Sequence, residues 1–593
     1  MEPVLTKFSE YNSFGFDLET TGLNALDSRI LLAQIGFPDD QYVIDATTTD
    51  LTPILPFLKS RKWLKLGFNL KFDEQFILKN YQTPILGIFD CYIAERVIAP
   101  ESKWGNSLED LLGVYLNVQL DKKIRESFYG KQSKEFSQEQ IEYAADDVKY
   151  LFKLMEMQRD KLIELKMAHV AELEFETVTV VSSMELEGVP VSVPEWRRIL
   201  ADYSKEHEIS RKKMLSIFMG VEDFDQQLGI FGDAPEQPTG KKPLNINSPK
   251  QLKEAFASLG INVPNTKEQT ISTIKHPSAQ ALLEYRGLEK IMTSYGESFI
   301  DKIHPFTGRI HADWRQIGTE TGRFACREPN LQQIPEKFRE CVGHEENYVL
   351  IGADFSQMEL RILAEESRDP ILVDAFQTGK DIHAVTASTM FNTPIEDVTK
   401  EQRFAAKTLN FGITYGMKLN KFKDMMNAEN IKNGRKEITR KEASIIMQKY
   451  RDTYHVAGKY LNDVGIASLR EGKTQTRFGR KRFFKPVSTK LDPDSFRGQI
   501  EAIKRQGANM PIQGTNADIT KMAMVHLHED LRDYGYRGNI ILQVHDEIVV
   551  LAHKTQAEAI KPLVEAAMTE AGQKLLPTIP VVVDSYVSTF WKK

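Results

Sequence analysis

Residues 540–551 read IILQVHDEIVVL, and this segment says most about the architecture of the chain. Two apolar arms flank His545, Asp546 and Glu547. Short apolar runs joined by a polar triplet predict a β-hairpin, here with acidic residues at its tip. Carboxylates held between buried arms are costly unless they bind something. We therefore expect the tip of this hairpin to be a binding site.

A second acid lies far upstream, where the apolar run YVLIGA (348–353) ends in Asp354. The pattern predicts a strand that ends in a carboxylate. Two-metal phosphoryl transfer needs acids that hold two cations about 3.5–4 Å apart, one for the attacking oxygen and one for the leaving phosphate. Asp354 and Asp546 are the natural pair for this task.

Between these acids, Arg403, Lys407, Phe411 and Tyr415 recur every four residues. On a helix they fall within a sector of about 120°. Two cations followed by two aromatic rings suit a nucleotide, because the cations can meet a triphosphate and the rings a base and sugar. The alternative is an ordinary amphipathic helix with cations on its rim. Glycines beside the two aromatic residues allow close approach and favour the binding role.

The N-terminal part contains a separate set of acids. Asp17 and Glu19 are two apart on a predicted strand, so both point to one face. Tyr143 and Asp147 are four apart and share one face of a predicted helix. With Asp73, these acids could hold two metals for phosphodiester hydrolysis while Tyr143 orients water. Taken singly, each acid could instead be a solvated surface group.

The composition is that of a globular protein. The chain has 593 residues, 41% hydrophobic and 27% charged, which argues against a disordered, collagen-like or coiled-coil chain. Its length predicts several domains of about 150 residues. Three cysteines, with no C-x-x-C pair, argue against a disulfide framework and for a reducing compartment. The net charge of −6 argues only weakly against a nucleic-acid partner, because contact patches are local.

Targeting signals are not visible in the sequence. The first ten residues lack a basic segment followed by an apolar run, so no signal peptide is expected. No uncharged apolar run approaches the ~18 residues of a membrane span. We therefore expect no membrane partner.

The N-terminal acids occur in three segments that resemble the motifs of the DEDD 3′→5′ exonucleases, in the variant with tyrosine in the third motif. The segments are DLETTGL (17–23), NLKFD (69–73) and YAADD (143–147). That family has a ribonuclease-H-like fold. The resemblance implies that Asp17, Glu19, Asp73 and Asp147 bind metal and that Tyr143 positions water.

The remainder of the chain resembles the family A DNA polymerases. DFSQMELR (354–361) is similar to their motif A, RFAAKTLNFGITYG (403–416) to motif B and VHDE (544–547) to motif C. Further similarity lies in TETGR (319–323) and in RQGANMPIQGT (505–515). Together with the exonuclease motifs, the resemblance covers nearly the whole chain.

The resemblance implies a multi-domain α/β and α+β protein. A ribonuclease-H-like exonuclease domain at 1–165 precedes a right-hand polymerase at 166–593. Within the polymerase we expect the thumb at about 190–315, the palm at about 316–370 and 490–593, and the fingers at about 371–489. No segment for a 5′-nuclease precedes the exonuclease motifs, so we expect no flap or primer removal from this chain.

The resemblance also implies roles at the polymerase site. Asp354 and Asp546 hold the metals with Glu547 close by, and Lys407 gives a proton to the pyrophosphate. Glu359 excludes a 2′-hydroxyl, which makes the enzyme specific for deoxynucleotides. The nucleotide-binding set is Arg403, Lys407, Phe411, Tyr415, Glu359, His383 and Gln357.

DNA contacts are expected from two kinds of side chain. Arg323, Asn509 and Gln513 suit the minor groove, whose degenerate acceptor pattern allows all correct base pairs to be accepted. The basic run 473–485 contains six cations and no acid, which favours phosphate contact over a merely solvated face. The alternative for the amides is a structural network. The expected DNA-binding set is Arg323, Asn509, Gln513, Arg505, His545, Arg477 and Arg480.

The implied cofactor is Mg²⁺, two ions per active site, with Mn²⁺ able to substitute. The implied partners are primer-template DNA and deoxynucleoside triphosphates, with any processivity factor left unidentified. We expect a monomer in the cytoplasm of a bacterial or phage-infected cell, and an organellar location stays open. The expected role is DNA replication or repair.

Three rival interpretations remain to be tested. The polymerase half could be a DNA-binding platform for a nuclease, but Asp354, Asp546, Arg403 and Lys407 are all present. A single-subunit RNA polymerase is disfavoured by Glu359 and by the exonuclease motifs. Two complete sets of acids argue against a noncatalytic scaffold.

Overall fold

The structure is a computed structural model that describes residues 1–101, 107–119, 124–131, 135–219, 244–413, 416–488, 490 and 492–592. Its contacts divide the chain into two compact units. The first consists of Met1–Gly188, Ala312–Gln332 and Asn347–Ser588, and the second of Val189–His311, Gln333–Glu346 and Thr589–Lys593. Among the helices in the described ranges, none combines the length and apolar composition that a membrane crossing requires.

A five-stranded mixed sheet organises the N-terminal part of the first unit. Its strands are β1 (Ser13–Thr20), β2 (Ile30–Gly36), β3 (Gln41–Asp45), β4 (Leu64–Gly67) and β5 (Ile88–Asp90). Their order is β3-β2-β1-β4-β5. β1 runs antiparallel to β2 and parallel to β4, so the central strand carries Asp17 and Glu19 between neighbours on both sides.

In the described part of residues 1–188, eight α-helices accompany this sheet. They are α1 (Glu2–Glu10), α2 (Leu55–Leu58), α3 (Lys71–Tyr81), α4 (Cys91–Ile98), α5 (Leu108–Leu116), α6 (Gln138–Lys149), α7 (Leu151–Glu164) and α8 (Ala168–Glu187). The start of α6 follows from its sequence, because Ser137 and Gln140 form a reciprocal capping box there. This cap fixes the register of the helix that carries Tyr143 and Asp147.

The second unit is mainly helical. Its helices are α9 (Val193–Met219), α10 (Pro249–Ser258), α11 (Glu268–Ile271), α12 (Pro277–Tyr295), α13 (Glu297–Ile300) and α14 (Glu336–Arg339), and β6 (Val189–Pro190) pairs with β7 (Arg309–Ile310). Trp196 stacks on Phe299 with ring centroids 4.3 Å apart, and Phe338 packs against the same indole. The three rings form one centre of this unit.

The rest of the first unit is built on a four-stranded antiparallel sheet. Its strands are β10 (Tyr348–Phe355), β13 (Gly538–Val544), β14 (Glu547–His553) and β15 (Val583–Ser588), in the order β13-β14-β10-β15. Two small hairpins accompany it, formed by β8 (Asp313–Arg315) with β9 (Ala325–Arg327), and by β11 (Lys473–Gln475) with β12 (Lys481–Phe483). The hairpin predicted for residues 540–551 is therefore confirmed as β13 and β14.

Helices complete this part of the unit. They are α15 (Met358–Ser367), α16 (Pro370–Gln377), α17 (Ile382–Phe391), α18 (Lys400–Ile413), α19 (Leu419–Lys432), α20 (Arg440–Thr453), α21 (His455–Glu471), α22 (Pro493–Asp533) and α23 (Ala557–Leu575). The long helix α22 begins where Asp492 accepts hydrogen bonds from the backbone N–H groups of Asp494 and Ser495. It carries the segment 505–515 through the same unit as the four-stranded sheet.

Candidate active sites

Three acids of the N-terminal sheet meet at one point. Asp17 and Glu19 on β1 and Asp147 on α6 offer carboxylate oxygens that all lie within 4.8 Å of one another. Oxygen ligands grouped at this spacing are what a hard divalent cation needs. The structure thus brings together acids that are 130 positions apart in the chain.

Two small residues allow α6 to approach the sheet closely. Gly15 and Gly36 are register partners on β1 and β2. A Cβ atom on Gly15 would lie 3.1 Å from the Cβ of Val148, and one on Gly36 would lie 3.0 Å from it. Larger residues would push α6 outward. The glycine pair therefore sets the distance between β1 and Asp147.

Asp73 on α3 is fully buried and lies close enough to Glu19 to feel its charge, although it is outside the group of three acids within 4.8 Å. Burial, together with the negative charges of Asp90 and Glu19, raises the pKa of Asp73 well above its ordinary value. Its Oδ1 has no hydrogen-bond partner among the described residues. A buried acid with an uncompensated oxygen beside other acids fits a cation site.

Sequence reasoning missed Asp90, which fixes the position of Asp73. Asp90 is fully buried and accepts hydrogen bonds from the backbone of Asn69 (2.9 Å), Leu70 (2.8 Å) and Tyr92 (2.9 Å). It therefore ties the start of α3 to the start of α4. An acid at the end of a strand and directly before a helix is an N-cap signal that could have indicated it.

Sequence reasoning also missed Gln34. It lies directly opposite Asp17 in the β1–β2 register, so both side chains project from the same face of the sheet. Gln34 is fully buried, and neither its Nε2 nor its Oε1 has a hydrogen-bond partner in the described part of the chain. A buried amide without a hydrogen-bond partner, next to an acid that could bind a metal, indicates that Gln34 has a role in that site.

The acids of the hairpin formed by β13 and β14 lie with Asp354 at the end of the four-stranded sheet. Asp354 on β10 is the register partner of Glu547 on β14. The turn between β13 and β14 is tight, with His545 at φ 56°. The N–H of Phe355 donates to the carbonyl of Asp546 over 3.2 Å. These backbone constraints place all three acids at one end of the sheet.

Two side chains from other elements hold the acids of the turn. Asn516 on α22 donates to Oδ1 of Asp546 over 2.6 Å, and Tyr586 on β15 donates to Oε1 of Glu547 over 3.1 Å. The ring of Tyr586 occupies space above Gly352, where a Cβ would lie 2.2 Å from it. The donor set is carboxylate oxygen, which suits the hard cations of two-metal chemistry.

The predicted nucleotide helix is α18. Arg403, Lys407 and Phe411 are all exposed on it, and Phe411 keeps 47% of its surface accessible. Arg403 pairs with Asp381 over 2.8 Å. Tyr415, the fourth member of the predicted face, lies outside the described residues.

His383 on α17 is close to this helix. It is buried, and its Nδ1 lies 2.9 Å from Nδ2 of Asn410 on α18. Its ring centroid is 5.5 Å from that of Phe411. Burial lowers the pKa of His383 to about 4, so the imidazole is neutral near pH 7. The neutral ring of His383 packs against Phe411 and so links α18 to α17 at this point.

A cavity of about 150 Å³ joins several of the predicted residues. Phe411 and Asp546 line it, and so do Arg323 and Glu359, which form an ion pair of 2.5 Å. The predicted residues on its wall are Arg323, Gln357, Glu359, Phe411, His545 and Asp546. This cavity connects the helix α18 with the acid at the hairpin.

The long helix α22 presents three of the predicted DNA-binding residues on one face. Arg505, Asn509 and Gln513 are spaced by four, which places them along one side of the helix. Oδ1 of Asn509 is buried without a hydrogen-bond partner among the described residues. Asn516 continues the same face one turn further on, and this spacing is the signal that could have found it.

The prediction that Arg480 contacts DNA is wrong. Its guanidinium is buried and forms ion pairs with Glu174 (2.5 Å) and Asp518 (2.8 Å), so it cannot reach a phosphate. Arg482, two positions further, is also buried. Alternate residues of a strand point to opposite faces, and this face of the basic run is turned inward.

Arg477 from the same run is only partly available. It makes ion pairs with Glu365 over 3.2 Å and with Glu366 over 3.0 Å. About a third of its side chain, 30%, is accessible. To contact DNA, the guanidinium of Arg477 would therefore have to leave these acids or bind a phosphate while still paired with them.

Two family models match the chain. The model of the 3′–5′ exonuclease domain matches residues 1–163, and that of DNA polymerase family A matches residues 222–593. The chain belongs to DNA polymerase family A. It is a DNA polymerase with a 3′–5′ exonuclease domain, and both kinds of domain are metal-dependent.

Named relatives agree with this assignment. DNA polymerase I of Aquifex aeolicus is 30% identical over 97% of this chain and 95% of its own length. DNA polymerase I of Pseudomonas aeruginosa is 28% identical over 99% of this chain, which spans 64% of that enzyme. The POL domain of Pol1 from M. smegmatis, solved in complex with DNA primer-template and dNTP, matches with a TM-score of 0.81 and 24% identity, covering 100% of this chain and 97% of that one. The last likeness shows the family A fold.

Proposed function

We propose that this family A polymerase lengthens the 3′ end of a DNA primer at one site and shortens the same end at the other. The observation that carries the proposal is the presence of two separate acid sites, each beside different accessory residues. The polymerase acid Asp546 lines a cavity with Phe411 and Glu359. The exonuclease acids have Tyr143 on the same helix as Asp147.

At the polymerase site, Asp354 and Asp546 would hold divalent cations, with Glu547 beside them. Bound cations activate the attacking oxygen and stabilise the leaving one. We propose Mg²⁺ as the natural ion, two per active site, with Mn²⁺ able to substitute. The proposal rests on the carboxylate donor set at the end of the sheet.

The incoming nucleotide is proposed to bind along α18. Arg403 and Lys407 are exposed cations on one face, which suits a triphosphate. Lys407 gives a proton to the leaving pyrophosphate. Phe411 meets the sugar and base, and its contact with His383 keeps the ring in place. Tyr415 and Gln357 are further candidates for this pocket.

We assign selection of the sugar and of the base pair to residues outside α18. Glu359, which forms an ion pair with Arg323, is proposed to exclude a 2′-hydroxyl. Asn509 and Gln513 on one face of α22 suit the degenerate minor groove of a correct pair. Arg505, His545 and Arg477 are proposed to contact the DNA backbone.

At the exonuclease site, Asp17, Glu19, Asp73 and Asp147 would hold the cations. Tyr143 would orient the attacking water. The raised pKa of Asp73 supports this set, because an acid that is buried among other acids ionises readily only when a positive charge compensates it. The site would thus hydrolyse the terminal phosphodiester of a primer.

We also propose the partners, the oligomeric state, the location and the domain boundaries of the protein. The partners are primer-template DNA and deoxynucleoside triphosphates, and the protein acts as a monomer in DNA replication or repair. We propose the cytoplasm of a bacterial or phage-infected cell as its location. The proposed domains are the exonuclease at 1–165 and the polymerase at 166–593, with thumb, palm and fingers as predicted above.

The direct test is a gel assay on a 5′-labelled primer annealed to a longer template, with Mg²⁺ as the added metal. We expect the primer to lengthen when all four deoxynucleotides are present and to shorten when they are omitted. Ribonucleotides should support little lengthening. A chelator should stop both reactions, and Mn²⁺ should restore both.

Two outcomes would contradict the proposal. Shortening without any lengthening would favour the nuclease with a DNA-binding platform. Lengthening that is as fast with ribonucleotides would remove the assigned role of Glu359 and favour an RNA polymerase.

A further inference from the structure

Asn516 is a buried amide that contacts the polymerase acid directly. It lies on α22, one turn beyond Gln513, and is 2% exposed. Its side chain reaches Oδ1 of Asp546 at 2.6 Å. The contact joins residues 30 positions apart, on a helix and on the turn of a hairpin.

The direction of this hydrogen bond is fixed by chemistry. An ionised carboxylate only accepts hydrogen bonds, so the amide NH₂ of Asn516 must face Asp546. The Oδ1 of Asn516 is buried and has no hydrogen-bond partner among the described residues. Burial of a polar side chain is costly unless it is compensated. Within the described residues, the bond to Asp546 is what compensates this amide.

The bond supplies what the backbone cannot. The carbonyl of Asp546 is tied to Phe355, and the preceding His545 is in the left-handed region. These features place the Cα atom of Asp546 but leave its χ angles undetermined. A donor on one carboxylate oxygen fixes the rotation of the group. Hydrogen bonds to charged acceptors are stronger than those between neutral groups, and the carboxylate of Asp546 is such an acceptor for Asn516.

We propose that Asn516 is a positioning residue for the polymerase reaction. It donates to Oδ1 of Asp546 and thereby fixes the orientation of the carboxylate that would hold a cation. The inference rests on the proposed role of Asp546 as a metal ligand. Partners that orient metal ligands typically change metal affinity or activity by about 10- to 100-fold when they are removed.

The test uses the full chain with its exonuclease silenced by Asp17→Ala and Glu19→Ala, so that only the polymerase site responds. In this background we compare Asn516→Ala and Asn516→Asp. The aspartate has nearly the volume of asparagine but cannot donate to a carboxylate. We expect kcat for primer extension to fall about 10- to 100-fold in both variants. The KM for deoxynucleotides should change by less than about 3-fold, since the side chain of Asn516 donates its hydrogen bond to the acid Asp546 and the inference concerns the chemical step.

A second readout does not depend on activity. Mn²⁺ binding to the same proteins, followed by electron paramagnetic resonance, should weaken about 10-fold when Asn516 is changed. The matched control is Asn430→Ala. Asn430 is 1% exposed, donates to the carbonyl of Lys436 over 3.2 Å and has an equally uncompensated Oδ1, but it lies on α19. This control should lose stability without a change in Mn²⁺ affinity.

The outcomes separate the inference from the function on which it rests. If Asp546→Ala still extends primers, the proposed role of Asp546 fails. If Asp546→Ala is inactive while both Asn516 variants keep normal kcat and Mn²⁺ affinity, only the positioning role is overturned. Restoring the exonuclease acids provides a folding check, because primer shortening should be normal in Asn516→Ala. If Asn430→Ala loses primer shortening and Mn²⁺ affinity to the same extent as Asn516→Ala, the effect of Asn516 is one of packing and the positioning role is overturned.

Discussion

In the exonuclease half, Asp17, Glu19 and Asp147 crowd together within 4.8 Å, whereas the acids of the polymerase hairpin are each held by a donor from another element. Asn516 holds Asp546 and Tyr586 holds Glu547. Asp17, Glu19 and Asp147 are brought together by one sheet and by α6, which packs on two glycines. The polymerase acids depend on a helix and a strand that are remote in the chain.

The difference has a physical consequence. Acids that lie close together repel one another, and the pKa of Asp73 is raised first by burial and then by the charges of Asp90 and Glu19. Acids that accept hydrogen bonds are oriented before any cation arrives. The exonuclease site should therefore depend on the cation for its charge balance, and the polymerase site on its supporting donors for its geometry.

The largest expected effect is the loss of lengthening in Asp546→Ala. Stabilisation by a metal is worth several kcal/mol, so extension should fall on the order of 10³-fold. Shortening should be unchanged, because the exonuclease acids lie on another sheet. The measurement is the primer gel assay with and without deoxynucleotides. Parallel loss of both activities would show that the two sites are not independent.

The reciprocal change is Asp17→Ala. Shortening should fall by the same order, about 10³-fold, while lengthening stays normal. Adding Mn²⁺ should raise the melting temperature of the unchanged protein through the crowded acids, and this shift should diminish in Asp17→Ala. An undiminished shift would mean that the Mn²⁺ which stabilises the protein binds elsewhere than at these acids.

A smaller effect is expected from Gln34→Leu. The leucine fills a similar volume and removes the uncompensated amide opposite Asp17. If the amide supports the exonuclease site, shortening should fall about 10-fold with lengthening unchanged. A thermal melt provides the control, because removing an unsatisfied buried amide should leave stability equal or higher. Normal shortening would make Gln34 a core residue only.

The smallest effect concerns stability and pH. Glu74 lies beside Asp73 on α3 and is buried, which raises its pKa from 4.5 to about 8. Between these values the folded protein keeps the proton that the unfolded chain has released. The stability that this group contributes is therefore full below pH 4.5 and is lost as the pH rises toward 8, by about 1.4 kcal/mol per pH unit.

Glu74→Gln should remove that slope. Urea unfolding at several pH values between 5 and 8 should show a flatter decline than in the unchanged protein. The control is Glu172→Gln, which alters an exposed acid of α8. Equal slopes in all three proteins would mean that Glu74 is not protonated in the folded state.

Much of the molecule could be predicted from sequence because its signals are local. The arms around His545, Asp546 and Glu547 gave the right hairpin, and the spacing of Arg403, Lys407 and Phe411 gave the right exposed face of a helix. Period and hydrophobic pattern are properties of neighbouring residues. The assigned roles of these side chains stay predictions until the assays are done.

What the sequence determined by itself was the chemistry available: two sets of carboxylates, a helix with cations and aromatic rings, and the family to which these belong. The tertiary structure decided which side chains face one another. It turned Arg480 inward to Glu174, placed Gln34 opposite Asp17 and brought Asn516 to Asp546. These contacts join distant parts of the chain through packing. A local pattern can place a residue on a face of a helix or strand, but it does not specify which distant residue that face will meet.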